Sequence, residues 1–318
     1  MNLKYILHIG IGGPSNGPRT VYDALHRDGD PVILFASTIS THGREEIEHR
    51  LVDVHSPEEV LIIYASKSGT TMETTDNFEY FYEFLKKKLG ALDDRVIAIT
   101  SEGSALYKQA QEKKWRVELI PSEIGGRFSV FTPAGIVPLA SAGIDVQQFI
   151  MGGKVGAQGS AEEIFAHYQK GLRIQNFFFF NPELESLGKW CRQLYGESLG
   201  KHEQGILPMV SIGTDDLHSM VQMYLDGPKN IYTTFVSAKP LPPMVHAILE
   251  GVKISYANHN LPFRHIELSE LNAFELGKFM QTQMNEVIAL AKLMGVDAFN
   301  QPAVEEYKKE ARRLLSSS

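Results

Sequence analysis

The sequence predicts an α/β fold made of two successive units, each a parallel sheet covered by helices on both faces. Short apolar runs alternate with segments whose apolar residues recur at helical spacing, which is typical of such sheets. The runs are apolar almost throughout, as burial on both faces of a sheet requires. A second alternation follows the glycine-rich stretch 152–159, which predicts a loop between two halves. We therefore expect two lobes with a site in the cleft between them.

The first half carries the clearer pattern. We expect strands at Tyr5–Ile9, Val32–Phe35, Leu61–Tyr64, Val96–Thr100 and Val117–Ile120. Helices are expected near residues 18–27, 43–53, 73–90, 104–114 and 133–142. These elements predict an N-terminal subdomain over residues 1–150.

The second half repeats the alternation less regularly. Helices are expected near 160–175, 183–195 and 214–225, with strands at Met209–Ile212, near Ile231–Val236 and at Phe263–Glu267. Two long helical runs, 270–294 and 302–315, end the chain. We expect a C-terminal subdomain over 160–290 and a helical tail over 291–318.

Composition excludes several classes of protein. Of the 318 residues, 43% are hydrophobic and 22% are charged, as in ordinary soluble domains. A net charge of -7 without a long basic run argues against a nucleic-acid partner. The run Phe177–Phe180 stops at Asn181 and Pro182, far short of a membrane span, so no membrane partner is expected.

The cysteine count and the N-terminus indicate a compartment. The single cysteine, Cys191, excludes an intramolecular disulfide and a thiolate metal cluster, which favours a reducing environment. Residues 1–10 form a short apolar run leading into a glycine-rich turn, which predicts a first strand and not a signal peptide. We expect a cytoplasmic protein.

A hydroxyl-rich turn at Ser66–Thr71 is the strongest functional signal. It has the sequence Ser-Lys-Ser-Gly-Thr-Thr and joins a predicted strand to a predicted helix. Free N–H groups and the positive end of the helix dipole make such a junction a site for an anion, most plausibly a phosphate. Helix capping, with Glu73 completing a capping box, is the alternative for any single hydroxyl.

Glycines flank two further motifs of the first half. Gly10, Gly12 and Gly13 follow the first strand, but no acidic residue ends the next strand, which disfavours a dinucleotide site. These glycines instead allow the backbone to approach a sugar or a neighbouring loop. Arg127 follows two glycines and precedes Phe128, so it is a candidate for an anionic group or an oxyanion, against the alternative of a surface charge.

Three candidates for proton transfer lie in the second half. Glu197 stands between glycines, where we expect a loop just past a helix end, and it is either an idle carboxylate or a base. His218 lies about one turn into a helix, where a structural role is the usual alternative. Lys308, by itself, reads as a solvated helix lysine.

Taken together, these stretches resemble the phosphoglucose isomerase family, which is built from two sugar-isomerase (SIS) domains. The resemblance rests on five motifs in the family's order, from about Gly10 to Lys308. The motifs lie at 66–74, 125–130, 195–198, 214–219 and 299–308.

The resemblance implies roles for individual residues. Glu197 would be the base that moves a proton between C1 and C2 of a hexose 6-phosphate through a cis-enediol, and Arg127 would stabilise the intermediate. His218 and Lys308 would assist ring opening. The residues implied to bind or approach the substrate are Gly12, Gly13, Ser66, Lys67, Ser68, Thr70, Thr71 and Gln301. No metal or organic cofactor is implied.

The resemblance also implies a homodimer in which His218 completes the partner's site, and the interconversion of glucose 6-phosphate and fructose 6-phosphate. A different sugar phosphate, such as mannose 6-phosphate, and a sugar-phosphate sensor without turnover are the alternatives. Pro14 stands where the family usually has Ser, with Ser15 as a substitute hydroxyl, and Asn300 and Ala303 replace Asp and Gly. Family members carry an N-terminal helical segment before the first strand, so a short form is expected.

Overall fold

The computed structural model describes residues 3–315. The first half contains β1 (Tyr5–Ile9), α1 (Gly13–Leu25), β2 (Val32–Ala36), α2 (Thr41–Arg50), β3 (Val60–Ala65), α3 (Met72–Leu89), β4 (Val96–Thr100), α4 (Ala105–Lys113), β5 (Arg116–Leu119), α5 (Pro133–Ser141) and α6 (Val146–Lys154). Short 3₁₀ helices lie at Leu51–Asp53, Pro57–Glu59, Asp93–Arg95 and Gly126–Phe131.

The second half begins with α7 (Ala161–Gln169). It continues with β6 (Ile174–Phe179), α8 (Glu185–Leu199), β7 (Leu207–Ile212), α9 (Asp215–Ser219), α10 (Val221–Asp226), β8 (Ile231–Ala238), α11 (Pro243–Asn258), β9 (Phe263–Leu268), α12 (Ala273–Met294) and α13 (Val304–Leu315). A 3₁₀ helix at Pro182–Leu184 precedes α8.

Both sheets are parallel, which confirms the predicted fold class. The first has the strand order β2-β1-β3-β4-β5 and the second has the order β7-β6-β8-β9. In the first sheet, Ile9 pairs with both Ala36 and Tyr64, so the carboxyl ends of β1, β2 and β3 lie level. Strands β2 and β3 lie on opposite sides of β1. Such a switch point leaves a crevice at the carboxyl ends of the strands.

Strand β6 was absent from the sequence-based prediction, which took Phe177–Phe180 only as an apolar run. It is the second strand of its sheet, paired with β7 and β8, and its three phenylalanines, with Phe180 directly after them, are at most 1% exposed. Phe177 and Phe179 join one core while Phe178 and Phe180 join another, because successive side chains of a strand point to opposite faces. Among the described residues, no helix is long and apolar enough to cross a membrane.

The structure differs from the sequence-based prediction at three other places. Helix α11 was not predicted at all. The helix expected over 214–225 is two short helices, α9 and α10, separated at Met220. The loop expected from Gly152 begins only after Lys154, because Gly152 and Gly153 belong to α6.

Glycines allow α6 and α12 to lie against each other. A Cβ atom on Gly152 would lie 1.9 Å from the carbonyl oxygen of Phe274, and one on Gly277 would lie 2.0 Å from that of Phe149. Any side chain at either position would force the helices apart. The domain bounds 1–150, 160–290 and 291–318 stay a prediction, and residues 1–2 and 316–318 of those ranges lie outside the described part of the chain.

A buried ion pair fixes α8 to α12 and to the second sheet. Arg264 on β9 contacts Glu286 on α12 through two hydrogen bonds, of 2.5 and 2.7 Å. The hydroxyl of Tyr195 on α8 and the backbone N–H of Ser160 also donate to Glu286. Burial alone raises the pKa of Glu286, but these donors, Arg264 foremost, bring it below its ordinary value.

We expect Glu286→Gln to lower the free energy of unfolding by about 3–5 kcal/mol, because Arg264 would keep a buried charge without its partner. The folded-state pKa of Glu286 lies below the ordinary value of 4.5 for a glutamate. The carboxylate therefore stabilises the fold above that pH, and its contribution is lost as the pH falls through the folded-state value. Urea unfolding at pH 7 and at pH 4 measures both effects, and the gap between variant and wild type should narrow at the lower pH.

Glu250→Gln is the matched control. Glu250 pairs with Lys253 at 2.8 Å, but its side chain is 43% exposed. Exposed pairs contribute about 1 kcal/mol or less, so this variant should unfold close to wild type. Equal losses in the two variants would show that the buried Arg264–Glu286 pair stabilises the fold no more than an exposed pair does.

Candidate active site

A cleft of about 690 Å³ opens at the carboxyl end of the first sheet, at the switch point between β1 and β3. The loops that follow β1 and β3 form one wall, and parts of α8 and α13 form the other. Its lining includes these residues singled out from the sequence: Gly12, Gly13, Ser66, Lys67, Ser68, Thr70, Thr71, Glu197, Gln301 and Lys308.

The hydroxyl-rich loop is shaped by its own side chains. The Gly69 N–H donates to Ser66 Oγ at 3.0 Å, and the Thr70 N–H donates to Ser68 Oγ at 3.2 Å. Gly69 has a φ of 71°, a conformation that favours glycine. Ser66 is buried and holds the turn, whereas Ser68 and Thr70 are exposed at the cleft.

The capping alternative is not realised at the start of α3. Thr71 is the N-cap residue, yet its side chain makes no capping hydrogen bond. Its hydroxyl is therefore available to a ligand at the positive end of the helix. Lys67, by contrast, donates from Nζ to the carbonyl oxygen of Ile124 at 3.1 Å, so it ties this loop to the segment that leads to Arg127.

Arg127 lies directly behind the cleft and is only 2% exposed. Its Nη1 donates to Glu197 Oε2 at 3.0 Å and to Gln301 Oε1 at 2.8 Å. Its remaining donors reach Ser198 Oγ and the carbonyl oxygens of Ala298 and Asn300. All five N–H groups of the guanidinium therefore have acceptors.

This arrangement differs from the open, glycine-flanked arginine expected from the sequence. Arg127 does not line the cleft and influences it through Glu197 and Gln301. Burial lowers the pKa of Arg127 below its usual value, an effect that neighbouring Glu197 opposes, and the side chain remains a cation. The site therefore holds a fixed positive charge just behind its carboxylate.

Glu197 was expected in a loop past a helix end, and this was wrong. It lies in the last turn of α8, which runs to Leu199. Gln193, one turn earlier, donates from Nε2 to Glu197 Oε1 at 2.8 Å, so each carboxylate oxygen accepts one hydrogen bond. Glu197 remains 33% exposed and faces the cleft.

Sequence reasoning missed Gln193, which also lines the cleft. The signal available was its spacing, because side chains four residues apart share one face of a helix. Glu197 was read as part of a loop, so this spacing was not used.

The C-terminal segment closes one side of the cleft. Lys308 on α13 lines it, and its Nζ bonds Glu305 at 2.9 Å. Arg312, one turn further along, lines it as well. Glu305 also lines the cleft, so these three side chains of α13 together carry one net positive charge, which suits an anionic ligand.

His218 lies apart from this group. It is exposed on α9 and is not part of the cleft lining. Ser15 is also absent from the lining, because its side chain is fully buried in α1, so it does not replace the hydroxyl missing at Pro14. Within residues 3–315, no three His, Cys, Asp or Glu side chains are grouped as ligands of a metal ion.

Comparisons with known proteins give this geometry a context. The family model for phosphoglucose isomerase matches residues 1–159. A probable glucose-6-phosphate isomerase from Methanococcus maripaludis is 31% identical over an alignment of 355 positions, which covers 100% of this chain and 80% of that relative. The chain belongs to the phosphoglucose isomerase family.

Solved structures resemble this family member over nearly all of its length. A hypothetical protein from Thermus thermophilus, 26% identical, superposes with a TM-score of 0.87 over 99% of this chain and 84% of that one. A glucose-6-phosphate isomerase from Chlamydia trachomatis, 21% identical, has a TM-score of 0.83 over 99% and 70% of the two chains. At 21% identity, the similarity to the Chlamydia trachomatis structure shows a shared fold only.

In this phosphoglucose isomerase family member, two glycines bring the first loop against the segment of Arg127. A Cβ atom on Gly13 would lie 2.0 Å from the carbonyl carbon of Gly126. Pro14, next to it, lies in the first turn of α1, where its missing N–H is tolerated. The start of α1 therefore contacts the backbone beside Arg127 directly.

We expect Gly13→Ala to lower the free energy of unfolding by about 1–3 kcal/mol or more, because the added methyl group must separate two backbones. The measurement is the urea unfolding midpoint. Gly251→Ala is the control. Gly251 lies in α11, and a Cβ atom added there would have no atom within 4 Å apart from its chain neighbours and the backbone of its own helix. That variant should gain up to about 1 kcal/mol from helix propensity. An unchanged unfolding midpoint for Gly13→Ala would mean that α1 can move away from Gly126 without loss of stability.

Proposed function

We propose that this chain is an aldose–ketose isomerase that interconverts glucose 6-phosphate and fructose 6-phosphate, a step of glycolysis and gluconeogenesis. The observation that carries the proposal is a single cleft in which Glu197, held by Arg127, faces the hydroxyl-rich loop at the start of α3. Membership of the phosphoglucose isomerase family supports the same activity.

The proposed binding mode places the phosphate at the hydroxyl-rich loop. Hydroxyls of Ser68, Thr70 and Thr71 and the N-terminal N–H groups of α3 would donate to its oxygens. Ser66 would hold the loop in shape, and Lys67 would add charge from one side. Lys308 would lie near the ring oxygen and the C1 hydroxyl, where it would assist ring opening, and Gln301 would contact the sugar.

The proposed reaction moves one proton between two adjacent carbons, from C2 to C1. In the open-chain aldose, the Glu197 carboxylate takes the proton from C2, the C2–H electron pair forms the C1–C2 double bond, and the carbonyl oxygen gains charge or a proton. Glu197 then returns the proton to C1 of the cis-enediol, while the C2 hydroxyl gives up its own proton and becomes the carbonyl of the ketose. Atoms balance without an external oxidant or reductant.

Arg127 would act at the moment of charge transfer. While Glu197 is ionised, its charge compensates the guanidinium 3.0 Å away. Once Glu197 has taken the proton, the positive charge of Arg127 is no longer compensated and stabilises the enediolate. The field is fixed before the reaction, so little reorganisation is needed.

We also propose that the active form is a homodimer in which His218 of each copy completes the site of the other. His218 is exposed on α9, away from the cleft of its own chain, which is the position such a role requires. The cytoplasm is the proposed compartment, in keeping with the single buried Cys191.

The activity is tested by incubating the purified chain with glucose 6-phosphate in heavy water. We expect fructose 6-phosphate to form and deuterium to appear at C2 of the recovered aldose, because an enediol exchanges its proton with solvent. Mannose 6-phosphate is assayed in parallel. Binding without any turnover would indicate a sensor, and preferred turnover of mannose 6-phosphate would indicate the other substrate.

We expect Glu197→Gln to lower kcat by at least a thousandfold while fructose 6-phosphate still binds, because the amide keeps the shape but cannot accept the proton. Steady-state kinetics and calorimetric titration measure the two quantities. Turnover within tenfold of wild type would refute the assignment of the base.

Ser68→Ala is the complementary variant. It removes one hydroxyl at the proposed phosphate position, which should raise KM and Kd about five- to tenfold through the loss of one charge-assisted hydrogen bond. Its kcat should change little, in contrast to the Glu197 variant.

Mixing two inactive variants tests the dimer. If Glu197 of one copy and His218 of the other share a site, an equimolar mixture of Glu197→Gln and His218→Ala subunits, after exchange, contains heterodimers with one intact site. About a quarter of wild-type activity should return. No recovery, with subunit exchange verified by mass spectrometry, would place both residues in one chain's site. A fully active His218→Ala variant would exclude His218 from the site.

A further inference from the structure

Asn16 lies in the first turns of α1, behind the cleft, and connects with the proposed base through one other side chain. Its Nδ2 donates to Gln193 Oε1 at 2.7 Å, and Gln193 Nε2 donates to Glu197 Oε1 at 2.8 Å. Asn16 is half-buried and is not part of the cleft lining. Any effect of Asn16 on the chemistry must therefore pass through Gln193.

The two hydrogen bonds determine which way the Gln193 amide faces. A primary amide has one accepting end and one donating end. Because Asn16 supplies an N–H to the accepting end, the NH₂ group of Gln193 faces Glu197. An ionised carboxylate only accepts hydrogen bonds, so this orientation matches the form of Glu197 that can take a proton.

The reversed amide would work against that form. Turning Gln193 by half a turn would place its carbonyl oxygen against a carboxylate oxygen, which leaves two acceptors in contact and no donor for Glu197. The reversed orientation suits only a protonated Glu197. Asn16 therefore favours the orientation in which Gln193 donates to the Glu197 carboxylate.

The backbone that carries Asn16 is fixed to α8 independently of this amide. The Asn16 N–H donates to the Gly12 carbonyl oxygen at 2.7 Å. Thr20 Oγ1 donates to the carbonyl oxygens of Asn16 and Ser186, at 2.9 and 3.0 Å. Ser186 lies at the start of the helix that carries Glu197, so Asn16 has little freedom to move relative to that helix.

We propose that Asn16 is a positioning residue for the proton transfer. It fixes the Gln193 amide with its NH₂ group toward Glu197, so that Gln193 and Arg127 hold one carboxylate oxygen each and orient the base toward the cleft. This inference rests on the proposed isomerase function, in which Glu197 is the base.

Two substitutions separate orientation from packing. Asn16→Asp keeps the shape of the side chain but cannot donate to Gln193, and Asn16→Leu removes the polar group at similar size. We expect kcat to fall about ten- to a hundredfold in both, as for a small misplacement of a reacting group, with KM changed less than threefold because the phosphate loop is untouched. A packing role predicts the Asp variant close to wild type and the Leu variant worse, which would overturn the proposal.

Thr20→Val is the matched control. It removes the hydrogen bond of Thr20 Oγ1 to Ser186 on α8 and the one to Asn16 within α1, but leaves the Asn16–Gln193 side-chain contact in place. We expect a lower melting temperature with kcat within about twofold of wild type. An equal fall of kcat in this variant would mean that loosening α1 is enough, and the proposal would be wrong.

A double-mutant cycle tests whether Asn16 acts through Gln193. Residues that act in series are non-additive, so Asn16→Leu should cause no further loss of kcat in a Gln193→Leu background. A full additional loss would overturn the proposed route.

Crystal structures of the Asn16→Asp variant supply a readout that does not depend on turnover. We expect the Gln193 amide to face the new carboxylate and to lose its bond with Glu197. An unchanged Gln193–Glu197 contact would overturn the proposal even if the wild type proved inactive. Wild-type inactivity alone would refute only the proposed function.

Discussion

The buried guanidinium of Arg127 is the constraint on which the cleft depends. A cation can remain inside a protein only if its N–H groups are paired, since an unpaired buried charge is far more costly than an exposed one. Here the acceptors come from α8 and from the segment 298–301, while the arginine itself comes from the first half of the chain. Three distant stretches of sequence must therefore meet before this charge is satisfied. The same contacts that satisfy it place a carboxylate and an amide side by side at the cleft.

The two walls of the cleft have different tasks for a physical reason. The hydroxyl-rich loop at the start of α3 presents donors and the positive end of a helix, which hold charge that is already present on a ligand. Glu197 with Arg127 forms a pair whose net charge changes only when the carboxylate takes a proton. Binding and chemistry thus rest on separate groups, and this is why substitutions in the loop and at Glu197 are expected to affect different kinetic constants.

The sequence predicted the fold class and most elements of the first half, because β1–β4 are largely apolar and the helices between the strands are marked by periodic apolar residues. It did not reveal α11 or β6. The helix expected over 160–175 overlapped the start of β6, and the phenylalanines that follow were taken only as an apolar run. Glu197 was placed in a loop because Gly196 and Gly200 resemble loop residues, although Gly196 lies inside α8. Most candidate residues do line the cleft, since short motifs mark where strands end. The contact between Asn16 and Gln193 left no signal, because it joins α1 to α8, which are far apart in sequence.

The apolar interior has a consequence for how the two halves relate. One continuous cluster contains Ile6 and Val21 from the first half as well as Trp190 and Leu276 from the second. Cutting the chain between the sheets would leave each fragment with a large apolar surface exposed to water. The two halves are therefore not independent modules. If one half alone were duplicated or exchanged, new residues would be needed to bury its apolar surface.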